Sequence, residues 1–503
     1  MKRRIHILLL QESHGWKNIL NQTGVSWSNG LPVGFSDFDA SCIIVNRDPD
    51  KVELTQIQSF IENGGTAVDT TGALIGEKPE SRRITVLKPY LDASFGFKTT
   101  GTIHLRNRTK TVKDSANLKG AVSIEAKSRI AFWGIDNDQF YEGFEKSLHT
   151  FTHSSLPSVS ERTARCSSGE VTRLLLLLLI RLHQHSELPF IRKWPDIKSN
   201  KMPATFRIDY DFGKDETVLP LAELLKNYKI PATWYLHTDA LTDQTKKVLK
   251  NIPEFELGLH CHRHIEFKTA EEYKSDIRHG LEQFNGFKST PAGYAAPYGN
   301  WSSALQQAIE SFDFIYSSEF CYDYDSMPSL PVESKTIQIP VHPVSIGTLN
   351  RFKYNNRMMS RYFEEVVQLK KLRFEPLHLY HHPNDRNEDV LTQIFDQLKN
   401  QNYRFMTYSE YVESWKLITE SDAHFYSDGD KVEVKYPYPA AIHIDESITI
   451  TNEKDISLNE LNFVSFADER SAKLIRQREE NETLSTFKRL KYGFLAWRWR
   501  NKT

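Results

Sequence analysis

Residues 206–211 read Phe-Arg-Ile-Asp-Tyr-Asp, and residues 256–264 read Glu-Leu-Gly-Leu-His-Cys-His-Arg-His. Each run starts apolar and ends in ionisable groups. That is the pattern of a buried strand that delivers polar side chains at its C-terminal end. Side chains alternate along a strand, so Asp209 and Asp211 share one face, and Arg207 shares it with them. His260 and His264 stand four residues apart with His262 between them, and they can converge on one point whether the chain continues extended or helical.

Outward from these runs, strands alternate with helices. Strands are expected over 204–210, 232–236, 256–260, 314–317, 336–339, 377–381 and 405–407, and helices over 219–228, 270–286 and 389–400. This repeated order predicts parallel strands surrounded by helices, as a barrel or an open sheet, in which the strand C-termini carry the site. Two histidines and one carboxylate, His260, His264 and Asp211, form a facial ligand set that leaves positions open on a divalent metal. Zn2+ is the default for such a set, with Co2+, Mn2+ and Ni2+ as alternatives. A metal there makes hydroxide available near neutral pH.

Four motifs occur in order: FRIDYD, then LHCHRH, then GYAAPYG over 293–299, then LYHHP over 379–383. In this order and spacing, residues from about 203 to 415 resemble the polysaccharide deacetylase family, also called carbohydrate esterase family 4 or the NodB-homology domain. The resemblance implies an α/β fold, a deformed (β/α) barrel. It implies Asp209 as catalytic base, Asp211, His260 and His264 as metal ligands, and Tyr298 as the residue whose backbone N–H holds the oxyanion. His382 matches the general acid, with His381 the competing choice. The implied reaction removes an N-acetyl or similar acyl group from a sugar or polysaccharide, with metal-bound water attacking the amide carbonyl. The alternatives are a hydrolase of another non-peptide C–N amide bond and a non-catalytic carbohydrate-binding homologue. One departure stands out: the family's arginine, two residues before the motif proline, is Ala295 here. Arg207 and Arg263 are near enough in sequence to replace it, and the shared strand face favours Arg207.

The chain has 503 residues, too many for one ordinary core. Residues 1–137 are expected to form an α/β domain of flavodoxin-like or amidotransferase-like texture, and 138–202 a helical connector that includes 140–150. The catalytic domain spans 203–418. Residues 419–503 form a β-rich region with a basic, aromatic tail over 489–503. The 64 Lys and Arg nearly cancel the 65 Asp and Glu, so no global charge points to nucleic acid. Cys42, Cys166, Cys261 and Cys321 form no CxxC pair, so neither a zinc ribbon nor a disulfide framework is expected. Cys42 opens an apolar strand, the setting of a structural thiol. The apolar run 174–180 is far shorter than the roughly 20 residues a membrane span needs. The first residues, MKRRIHILLL, read as a buried strand rather than a secretory signal, and a cytoplasmic setting is expected.

Overall fold

The computed structural model describes residues 2–87, 103–112, 120–124, 128–143, 145–151, 156–252, 254–287, 290–444, 447–462 and 464–465. The basic tail over 489–503 lies outside them.

The central region holds the deformed (β/α) barrel. Its strands are β1 (Met202–Tyr210), β2 (Ala232–His237), β3 (Glu256–Cys261), β4 (Gly293–Tyr294), β5 (Tyr316–Ser317), β6 (Ile337–Gln338), β7 (Leu377–His381) and β8 (Tyr403–Met406). They pair in the order β6-β5-β4-β3-β2-β1-β7, every pairing parallel, and β8 runs beside the first half of β1. Just beyond β6, the His342 N–H donates to the His378 carbonyl of β7 at 2.8 Å, and the curled sheet meets itself there. Every residue of β1 is buried, as expected for the centre of a parallel sheet covered on both faces. Gly293 on β4 has the Tyr316 ring where a side chain would sit, so the lack of a Cβ lets that ring pack into the barrel.

Helices cross between the strands. Ala270–Glu282 starts with a reciprocal capping box between Thr269 and Glu272, and Tyr408–Glu420 is capped by Thr407. These caps satisfy first-turn amides and fix where each helix leaves the barrel rim.

Before the barrel lies a second sheet, ordered Val122–Ile124, Ile130–Trp133, Thr66–Asp69, Cys42–Val45, Ile7–Leu9, Trp27–Asn29. Its pairings are parallel except the first. Helix Lys51–Glu62 crosses from one strand to the next, capped by Asp50. Helix Ser168–His185 carries the Leu174–Ile180 run, which is buried throughout. Among the described residues no helix is long and apolar enough to cross a membrane.

Residues 140–150 do not form the expected helix. Lys146–Phe151 is a strand, paired antiparallel with Val159–Ala164. The apolar residues of 140–150 fit a helical period as well as an alternating one, and the partner strand lies further along the chain, where local spacing cannot show it. The β-rich C-terminal residues recruit strands from elsewhere. His424–Ser427 pairs with Lys431–Lys435 on one side and Arg3–Arg4 on the other, and Ala440–Ile444 pairs with Phe190–Lys193.

Candidate metal centre and catalytic site

The C-terminal ends of β1 and β3 bring three donors together. The ligand atoms of Asp211, His260 and His264 all lie within 4.8 Å of one another. Asp211 Oδ1 is 3.0 Å from His260 Nε2 and 3.2 Å from His264 Nε2. His260 Nδ1 sits 2.6 Å from the carbonyl of Ala295, which can only accept, so the neutral ring donates there and turns a bare Nε2 lone pair inward. The Nε2 atoms of both histidines and Oδ1 of Asp211 are buried without a hydrogen-bond partner. Lone pairs facing one another repel unless a cation lies among them, so this set fits a divalent metal. Burial opposes the Asp211 carboxylate, but the neighbouring His382 holds its pKa well below the usual carboxylate range.

Behind the triad, Arg207 and Asp209 project from the same face of β1. Arg207 Nε and Nη2 donate to the two Asp209 oxygens at 2.5 and 2.7 Å. Arg207 Nη1 donates to the Ser318 carbonyl at 2.5 Å, and the guanidinium lies over the Tyr235 ring, 5.0 Å from its centroid. Arg207 thus occupies the place beside Asp209 that the missing arginine at 295 leaves open. Arg263 turns away: it pairs with Asp276 and lies over Phe267.

His382, at the end of β7, faces the triad, with Nε2 3.6 Å from Asp211 Oδ2. Its Nδ1 is 3.0 Å from Asp385 Oδ2. Burial disfavours the charged imidazole, but Asp211 and Asp385 outweigh it and raise its pKa to about 10. His381 points the other way. It stacks on Phe206 in the barrel wall, and burial lowers it to about 4.

Tyr298 lies in the turn Pro297–Gly299 with left-handed backbone, φ 61° and ψ 15°. Its ring is 4.9 Å from His264, and Phe212 approaches His264 from another direction at 5.2 Å. Both rings are substantially exposed, 41% for Tyr298 and 48% for Phe212.

Three other side chains take no part in the triad. His262 contacts Thr238 and His279, outside the triad. Cys261 is buried and its thiol is held in the neutral form by burial. Cys42 is buried too, pushed up to about 12, which suits a structural thiol.

Two residues near the site escaped the sequence reading. His237 ends β2, and its Nδ1 hydrogen-bonds the backbone carbonyl of Asp211. The rule that picked out Asp211 and His260, an ionisable group closing an apolar strand, applies equally to it. Glu319 follows β5, and its Oε1 accepts from the Ala296 N–H at 2.9 Å and Ser317 Oγ at 2.7 Å. Burial pushes Glu319 up to about 7, with Arg207 partly offsetting it. No motif marks it.

Comparison with known proteins finds likeness to part of the chain. No curated protein sequence matches the chain. Several solved structures resemble part of it, among them the following three. The Xyl-CE4 domain of a multidomain xylanase from the hindgut metagenome of Trinervitermes trinervoides is 17% identical, with TM-score 0.30, covering 42% of this chain and 91% of that one. The peptidoglycan deacetylase PdaC from Bacillus subtilis is 17% identical, with TM-score 0.32, covering 43% and 93%. A CE4 family pseudoenzyme from Bacillus anthracis is 16% identical, with TM-score 0.32, covering 43% and 66%. The family model for polysaccharide deacetylase matches residues 198–316, the stretch that carries Arg207, Asp209, Asp211, His260, His264 and Tyr298, and that segment is similar to the polysaccharide deacetylase family.

Proposed function

We propose that this protein is a divalent-metal-dependent hydrolase that removes an N-acetyl group from a sugar or polysaccharide. The observation that carries the reading is the convergence of three unsatisfied donors, Asp211 Oδ1, His260 Nε2 and His264 Nε2, beside a buried Arg207–Asp209 pair. A cation held by those donors would polarise the acyl carbonyl and make water more acidic.

The chain's own groups supply the rest. Asp209 takes the proton of the attacking water. Both its oxygens accept from Arg207, and each keeps a lone pair for that proton. His382, with Nε2 3.6 Å from Asp211 Oδ2, carries the proton to the leaving amine. The backbone N–H of Tyr298, in its left-handed turn beside His264, would donate to the oxyanion. The exposed rings of Phe212 and Tyr298 flank His264 and offer apolar faces to a pyranose ring.

The test has two parts. Purified protein should hold one divalent metal per chain, and it should release acetate from oligomers of N-acetylglucosamine. A chain that binds no stoichiometric metal defeats the reading. A metal-loaded chain that releases no acetate but cleaves other linear or cyclic amides would move the reading to another non-peptide C–N bond.

A further inference from the structure

The hairpin formed by Lys146–Phe151 and Val159–Ala164 belongs to the segment before the barrel, yet it lies on the barrel's C-terminal rim. The Ala164 N–H donates to the Phe320 carbonyl at 2.9 Å, after β5. Lys146 Nζ donates to Asn300 Oδ1 at 2.7 Å, after β4. Glu161 reaches the short helix Ile346–Arg351, after β6: it accepts from Thr348 Oγ1 at 3.0 Å and forms an ion pair with Arg351 Nη2. Glu161 and Arg351 side chains are only 12% and 25% exposed, so water screens the pair weakly.

That short helix presses in turn on the carboxylate that orients His382. A Cβ built on Gly347 would fall within the Asp385 carboxylate, so only glycine permits this approach. Asn350 Nδ2 donates to the Asp385 carbonyl at 3.2 Å, and Asn387 Nδ2 donates to the same carbonyl at 3.1 Å. The turn being held is strained. Arg386 (φ 52°, ψ −141°) and Asn387 (φ 66°, ψ 49°) are consecutive non-glycine residues at positive φ. Such conformations persist only where the surroundings over-determine them.

We infer that Glu161 and Arg351 are positioning residues: the hairpin braces the helix Ile346–Arg351 against the Pro383–Asp385 turn and so keeps Asp385 on His382 Nδ1. The inference rests on His382 serving as the acid. It makes part of the segment before the barrel a component of the active site rather than an accessory to it.

The experiment uses the full chain loaded with zinc, with tri-N-acetylchitotriose as probe. Glu161→Gln should lower kcat about tenfold with KM and zinc content unchanged, as expected when a bound group is misaligned rather than removed. In an Asp385→Asn background the same replacement should cost nothing further. In protein labelled with 15N-histidine, the His382 Nδ1–H should exchange faster with solvent in Glu161→Gln, and the Glu161→Arg, Arg351→Glu double variant should restore both readouts in part. Unchanged kcat and unchanged ring exchange in Glu161→Gln, with His382→Gln inactive, overturn this inference alone. An equal loss in the Asp385→Asn background also overturns it. A His382→Gln variant at the wild-type rate overturns the acid assignment itself.

Discussion

Arg207 clasps Asp209 from two residues back on the same strand, with both carboxylate oxygens engaged and the guanidinium fully buried. An i, i+2 pair on a strand projects side chains from one face, so the geometry needs no loop to support it. The pair is reached from β1 alone, whereas an arginine at 295 would have to approach from β4.

Removing Arg207 leaves a buried carboxylate without its partner. Arg207→Ala should therefore destabilise the protein by about 3–5 kcal/mol. Urea unfolding checks this. Acetate release should fall steeply in the same variant. Arg207→Lys keeps the charge but loses the bidentate fork, so it should recover stability better than rate.

His260→Ala or His264→Ala should abolish stoichiometric metal, read by elemental analysis. A chelator applied to the wild-type chain should lower its melting temperature, and zinc at about 100 times its Kd should return about 2.7 kcal/mol. A melting curve indifferent to zinc would contradict the metal assignment.

The two adjacent histidines separate cleanly by experiment. His382→Gln should lower kcat by about 10²–10⁴, the usual worth of a general acid, with metal retained. His381→Gln should act on stability instead, because that ring is packed in the wall against Phe206.

Glu319 gives the pH prediction. Its folded pKa is raised from the ordinary 4.5 to about 7, so between these values the folded chain binds the proton and the unfolded chain does not. This stability is fully present below pH 4.5 and is lost as pH rises through 7, by about 3 kcal/mol. Glu319→Gln can still accept from Ala296 and Ser317, and the difference between the two proteins should grow in favour of the variant from pH 5 to pH 8. A parallel pair of stability curves would contradict it.

The part of the site legible in the sequence is the part built by alternation. Arg207 and Asp209 sit on one strand, Asp211 directly follows its end, and His260 stands at the end of the next but one, so parity and strand-end position sufficed. Most of the barrel was legible for the same reason, since its longer strands announce themselves locally, whereas the two-residue strand Gly293–Tyr294 was not among those expected. His237 was legible by the same rule and was passed over. Glu319 and Gly347 are different: Ala296 and Asp385, which they meet, come from distant loops, and nothing local distinguishes them. The hairpin Lys146–Phe151 failed for a related reason, because its apolar residues satisfy two periods and only the cross-strand partner decides between them.

Arg3 and Arg4 lie opposite Ser427 and Tyr426 in one sheet. During synthesis the first of these residues leaves the ribosome long before the second. The early sheet at Ile7–Leu9 can form as its own strands emerge, and the Arg4 N–H can reach the Phe38 carbonyl early, but the ladder of Arg3–Arg4 with Tyr426–Ser427 must wait until the barrel has been translated. Completion of the fold is therefore a late and cooperative event, and a nascent chain halted before residue 424 should remain sensitive to proteolysis near Arg3 and Arg4 even where the barrel has already closed.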